Sequence, residues 1–145
     1  MKQLLVLLAL ITSQKECNQK SDLNFVKATS QNWTGGPAAT HGTYYKIYFL
    51  MKETTDYTFD SLWVNDKRIP VLIIKSKTPA DTLLIMANDN QGFRAPGIQT
   101  EMTNSVPAKF PIEVKAEGVL GYHYKDEKKY FPIPQWNVLK PVTYQ

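Results

Sequence analysis

His41 and His123 are the only histidines, and any metal or acid–base chemistry in the chain would turn on them. A catalytic zinc site usually takes three protein ligands. These two would need a carboxylate supplied by the fold, and their spacing does not specify one. His41 sits in a glycine-rich loop and His123 between two tyrosines, so ordinary hydrogen-bonding histidines are expected. Nucleophilic catalysis has no better footing. The Gly-x-Ser-x-Gly elbow that presents a serine above a sheet is absent. Cys17, the sole cysteine, lies close to the N-terminus. Paired carboxylates for sugar hydrolysis are recognised by their separation in space, which a sequence does not display. The run Asn88-Asp89-Asn90-Gln91-Gly92 has the oxygen donors of a calcium loop, but its glycine and terminal glutamate are out of place for an EF-hand, so a solvated turn is expected. The phosphate-cradling Gly-x-x-x-x-Gly-Lys-[Ser/Thr] is missing. The reading is a non-enzymatic protein with no cofactor and no metal.

Binding chemistry is better represented. Trp33, His41, Phe93 and Arg94 are the candidate ligand contacts. Trp33 is expected to anchor the core beside a strand; the alternative is an exposed stacking platform shared with neighbouring tyrosines. Phe93 and Arg94 lie near the tip of the longest irregular stretch, residues 88–108, where a long loop in a compact domain signals function or mobility. Tyr122, Tyr124, Lys125, Lys128, Lys129 and Tyr130 come closest to the mixture of cations and aromatics that nucleic acid would need. They amount to one cationic hairpin tip, and no nucleic-acid partner is expected.

The stretch from Gln31 to Lys52 must position the first of these residues. It opens on Gln-Asn-Trp-Thr-Gly-Gly, loops through His41-Gly42 and continues as Thr-Tyr-Tyr-Lys-Ile-Tyr-Phe-Leu-Met-Lys. Tyr45, Ile47, Phe49 and Met51 share one face of an extended chain, while Tyr44, Lys46, Tyr48 and Lys52 share the other. Tyrosine and phenylalanine at this density favour a pleated surface over a helix. Gly35, Gly36, Pro37 and Gly42 supply the preceding turn. Asn32-Trp33-Thr34 also matches the N-glycosylation sequon, a three-residue pattern of low information.

Further strands are expected over residues 21–29, 59–64 and 69–75, with Asn65-Asp66-Lys67-Arg68 turning the middle pair. Pro70 cannot donate to a ladder and should stand at a strand start or an edge. Residues 82–87 read as a strand buried on both faces, and residues 97–102 as a short edge strand. Residues 110–117 alternate cleanly, with Phe110, Ile112, Val114 and Ala116 on one side. Residues 120–124 and 130–133 pair as a hairpin. Trp136, Val138 and Leu139 are expected to close the core before Pro141 ends the domain. Seven or eight short strands with no helical period predict an all-β fold: a two-sheet β-sandwich, immunoglobulin-like, with a partly open barrel as the alternative.

The N-terminus has the layout of a secretory signal: Lys2, an apolar run over residues 4–11, then Thr12-Ser13. The run is too short for a permanent membrane span. The expected division is a signal peptide over residues 1–16, a flexible tail over 17–23 and a β-sandwich domain over 24–145. Cys17 is placed like the acylated cysteine of a bacterial lipoprotein, and attachment through it would be the only contact with a membrane. Gln14, Lys15 and Glu16 depart from the aliphatic and small residues that the lipoprotein motif wants. A cut after Ser13, with Ile11 three places earlier, gives a soluble exported product instead. The whole chain of 145 residues carries +4. Residues 1–16 hold Lys2, Lys15 and Glu16, so the chain from Cys17 onward carries +3. No block of five like charges exists, and the charge reads as a solvated surface. Aromatics at 12% and charged residues at 21% indicate a globular chain rather than a disordered one, and a single cysteine excludes an intrachain disulfide.

The run Gln31-Asn32-Trp33-Thr34-Gly35-Gly36 followed by His41-Gly42-Thr43-Tyr44-Tyr45 resembles a pattern in small exported and lipoprotein-like proteins of unknown function from Bacteroidetes. The leucine-rich signal and nearby cysteine are similar too. The resemblance covers about the first third of the chain. It implies a periplasmic, secreted or outer-membrane lipoprotein location, and it transfers no catalytic residue. The resulting expectation is a binding or accessory protein of the cell envelope whose partner is an envelope protein or a glycan. A carbohydrate-binding module using exposed aromatics and a small hydrolase are the alternatives.

Overall fold

The structure, a computed structural model, describes residues 23–36, 40–51, 54–75, 81–91 and 105–145. It is all-β: nine strands and no helix among the described residues. They are β1 (Asn24–Gly35), β2 (Thr40–Leu50), β3 (Tyr57–Val64), β4 (Lys67–Lys75), β5 (Thr82–Gln91), β6 (Val106–Pro107), β7 (Gly118–Tyr124), β8 (Glu127–Ile133) and β9 (Asn137–Tyr144). They form one mixed sheet in the order β8-β7-β3-β4-β5-β2-β1-β9, with the two-residue β6 joined to β4. All pairings are antiparallel except β1 with β9, which is parallel.

The sheet turns its corner at β4. Residues 67–70 pair with β3, and residues 71–75 pair with β5. Pro70 stands at this change, inside the strand rather than at its start, where a missing N–H removes a rung that the divergence would lose in any case. Strands far apart in the sheet order consequently face each other. Phe49 of β2 meets Phe131 of β8 edge to face at 5.3 Å, and Phe25 of β1 lies 5.4 Å from the same ring. The core between the facing strands includes Ile47, Phe49, Leu62, Ile69, Ile85, Leu120 and Ile133, all essentially without exposed surface.

Two bulges set which residues point inward. Val26 is the extra residue in β1, between Phe25 and Lys27. It carries the inward face from Phe25 to Ala28, which is why alternation over residues 21–29 looks imperfect in the sequence. Asp60 plays the same part in β3, so that Phe59 and Leu62 both reach the core. The two tight turns, Asn65-Asp66 and Lys125-Asp126, have φ between 48° and 65° at all four residues. This is the left-handed two-residue turn that suits a twisted hairpin, and Asn and Asp tolerate it best.

Several expectations from the sequence are corrected. Residues 110–117 belong to no strand, although burial still alternates along them: Phe110, Ile112, Val114 and Ala116 are half-buried and the residues between are exposed. Alternation reports an extended chain with one covered face, not a ladder. β5 is covered on one face only, with Leu83, Ile85 and Ala87 buried and Leu84 and Met86 half-exposed. It runs on through Asn88, Asp89, Asn90 and Gln91, which are strand rather than turn. Trp136 is buried, but Val138 (78% exposed) and Leu139 (41%) do not close the core. Pro141 does not end the domain; it lies inside β9 where the pairing with β1 shifts register. The proposed signal peptide, Cys17, Phe93, Arg94 and the expected strand over residues 97–102 lie outside the described residues.

Candidate functional site

The structure places Trp33 and His41 on opposite faces of the β1–β2 pair. Trp33 stands opposite Gly42 and His41 opposite Thr34, so the two side chains alternate away from each other. Trp33 is half-buried on the outer face. Its ring stacks with Tyr44 at 5.6 Å and 25°, and its Nε1 donates to Asn88 Oδ1 at 3.1 Å. Burial, then the charge of Tyr144 and a hydrogen bond with it, raise the Tyr44 hydroxyl above the ordinary 10.0. The other tryptophans are buried at 7% and 8% exposure, so only Trp33 retains the exposed-platform role among the three. Trp63 points to the outer side of β3. There the guanidinium of Arg68 lies 5.4 Å from its ring and the amine of Lys128 5.9 Å from it.

His123 also points outward. Its Nδ1 is 3.8 Å from Asp60 Oδ2, beyond hydrogen-bond reach, and Lys128 Nζ bonds that same oxygen. Among the described residues no three or more His, Cys, Asp or Glu side chains gather as a metal site would require.

A concave feature among the described residues lies elsewhere, where the inner face changes from apolar to polar. Along β2 the inward residues run Phe49, Ile47, Tyr45, Thr43. Along β1 they run Ala28, Ser30, Asn32, with Ser30 opposite Tyr45 and Asn32 opposite Thr43. Beyond Tyr45 the facing strands no longer fill the interior, and a cleft of about 650 Å³ opens. The β3–β4 turn contributes Val64, Asn65 and Asp66 to one wall. The extended 110–117 segment contributes Phe110, Ala116 and Glu117 to another, and Trp136 and Val138 complete the lining. This volume is within the roughly 300–1,000 Å³ of small-molecule sites.

The lining is held by its own hydrogen bonds. Trp136 donates its backbone N–H to Glu117 Oε2 (2.7 Å) and its indole N–H to the Glu117 carbonyl (3.2 Å), which locks the 110–117 segment to the chain leaving β8. The Tyr45 and Trp136 rings meet at 5.0 Å and 57° and form the floor. Asn65 Nδ2 donates to the Tyr45 hydroxyl at 3.2 Å, and Thr43 Oγ1 to Asn32 Oδ1 at 2.9 Å. Behind the turn, the Lys67 amine bonds buried Asp89 at 2.8 Å and ties the start of β4 to β5. Sequence reasoning named Trp136 only within the carbohydrate-binding alternative, as an exposed stacking ring, and singled out none of the polar cleft residues as contacts. The available signal was the polarity gradient along the inner face of β1 and β2, which requires their register to be read.

Burial, and secondarily the Asp89 carboxylate, raise the Tyr45 hydroxyl above 10.0, while hydrogen bonds with Thr43 and Asn65 pull it down. The folded protein therefore holds this proton more tightly than the unfolded chain does. Its contribution to stability is complete below pH 10.0 and is lost as pH rises from there through the raised folded value. Ultraviolet titration should show a late-ionising tyrosine phase, and Tyr45→Phe should reduce it, the remainder belonging to Tyr44. An unchanged titration in the variant would put the late proton elsewhere, at Tyr44 in the first instance.

No family model, curated protein or solved structure matches the chain.

Proposed function

We propose that this chain is an exported, non-enzymatic binding or accessory protein of the cell envelope, built as a two-layer β-sandwich, which takes its ligand in the Tyr45–Trp136 cleft. The cleft itself carries this reading: a pre-formed hollow where the apolar interior gives way to amides, hydroxyls and carboxylates over an aromatic floor. Binding is favoured over hydrolysis because neither histidine lines the cleft and the nearest histidine–carboxylate pair, His123 with Asp60, lies on the other side of the sheet. The sandwich reading rests on the contacts of Phe131 with Phe25 and Phe49, and the immunoglobulin-like reading on strand number and spacing. Export rests on Lys2 and the apolar run over residues 4–11. Its check is the intact mass of the mature protein from membrane and soluble fractions, where acylation at Cys17 would mean a lipoprotein and a free chain from Gln14 a periplasmic or secreted one.

Ala116 offers a direct test of the cleft. It lines the hollow from a segment without a ladder, so Ala116→Trp fills the space without breaking a strand pairing. Native mass spectrometry of the purified protein, incubated with a small-molecule extract of envelope material, should show a bound species on the wild type. The Ala116→Trp variant, checked for an unchanged circular dichroism spectrum, should lose it. A bound species retained by the variant, or none on either protein, would refute the cleft as the site.

A second reading, a stacking surface for glycans on the outer face, is favoured by Trp33 alone, whose ring lies across Gly42 beside Tyr44. Trp33→Ala should then abolish glycan binding that Ala116→Trp leaves intact.

A further inference from the structure

We infer that the cleft recognises a neutral saccharide, an inference that rests on the cleft being the binding site. The first observation is charge. The chain as a whole is basic at +4, yet among the described residues no lysine, arginine or histidine lines the cleft, and its ionisable carboxyls belong to Asp66 and Glu117. Phosphorylated and uronate-bearing ligands would meet like charge without a compensating cation, and desolvating them there is costly. The positive surface of the protein therefore does not describe its ligand.

The second observation is the pattern of donors and acceptors. Asn32 accepts from Thr43 through Oδ1, which leaves its two amide N–H groups as donors. Asn65 donates through Nδ2 to the Tyr45 oxygen, which leaves Asn65 Oδ1 as an acceptor. Glu117 spends Oε2 on the Trp136 N–H and keeps Oε1 as an acceptor. The hollow thus offers both donors and acceptors, as vicinal hydroxyls require, each being both donor and acceptor. The third observation is the floor. Tyr45 and Trp136 meet at 57° and, each almost fully buried, seal the hollow from below, so the polar rim carries the recognition. A cationic amine would use the same carboxylates, but it wants open aromatic faces around it. Here Tyr45 is 4% and Trp136 8% exposed. They form a floor and not a cage, and most of the rim is neutral.

The test is titration, followed by tryptophan fluorescence and two-dimensional amide NMR, with neutral hexasaccharides: cellohexaose, maltohexaose, xylohexaose and mannohexaose. Polygalacturonate and spermidine are the charged counter-probes. The expected result is saturable binding of at least one neutral hexasaccharide, lost in Ala116→Trp and weakened about tenfold in Asn32→Ala. Asn65→Gly should weaken it similarly while keeping the left-handed turn (φ 50°) intact. Spermidine or polygalacturonate binding that Ala116→Trp abolishes, with no hexasaccharide bound, would overturn the saccharide inference and leave the cleft standing. Hexasaccharide binding that Ala116→Trp does not affect would overturn both and move recognition to the Trp33 face. No binding by any probe would overturn the saccharide inference.

Discussion

Replacing Phe49 by alanine should lower the free energy of unfolding by about 4 kcal/mol, as large-to-small aromatic changes in cores do. Small domains are stable by roughly 5–15 kcal/mol in total, so the variant should be partly unfolded or lose most of its margin. Phe49 has no exposed surface. It is also where three parts of the folded-over sheet converge: Phe25 from β1 at 6.0 Å, Phe59 from β3 at 6.3 Å and Phe131 from β8 at 5.3 Å. Truncation leaves a hollow that no single strand can close, because the lining rings sit on strands paired to different neighbours. Leu50 is the built-in comparison. It follows Phe49 in the same strand but points outward and is 50% exposed, so Leu50→Ala should cost less than about 0.5 kcal/mol. Urea unfolding of the two variants measures the difference. Equal midpoints would mean that β2 does not pack its odd-numbered residues against β8, and the account of the core would fail.

That contrast was legible in the sequence, since the alternation from Tyr45 to Met51 needs only a strand. The places of the two hairpin turns were legible too, but not their length: residues 65–68 and 125–129 read as the connections, whereas Lys67 and Glu127 already open β4 and β8 and the turns are two residues each at φ > 0. What the sequence conceals has specific causes. The bulges at Val26 and Asp60 add one residue and reverse the inward phase, so a strict period of two misassigns residues on one side of each. The 110–117 segment has the period without the partner, because periodicity records covering and not hydrogen bonding. β9 pairs in parallel with β1, more than a hundred positions away. Gln31 Nε2 reaches the Lys140 carbonyl at 2.9 Å, and Thr143 meets Thr34 at 3.3 Å. Nothing local encodes such a return, and the exposed Val138 and Leu139 look like core residues in isolation. The cleft was hidden for a similar reason: its walls come from β1, β2, the β3–β4 turn and two irregular segments, which only the fold brings together.

Gly42 is the second site of large effect, and it links stability to the outer face. A Cβ built there would stand 2.4 Å from the backbone carbonyl oxygen of Asp89, 2.8 Å from Trp33 Nε1 and 2.9 Å from Trp33 Cε2. Contacts this short must relax, and the nearest atom is backbone in the adjoining strand, which cannot swing aside as a side-chain tip can. Gly42→Ala should therefore cost about 3 kcal/mol, the upper part of the overpacking range. It should also displace the indole from Asn88, breaking the 3.1 Å hydrogen bond and changing the tryptophan emission. The Trp33→Ala background separates the two clashes. Removing the indole relieves the 2.8 and 2.9 Å contacts but leaves the carbonyl in place, so Gly42→Ala should remain destabilising by more than half its original amount. Full rescue by Trp33→Ala would instead make the ring the sole obstacle. Gly42 would then serve to seat Trp33 flat on the sheet, and the outer-face stacking reading would gain over the cleft.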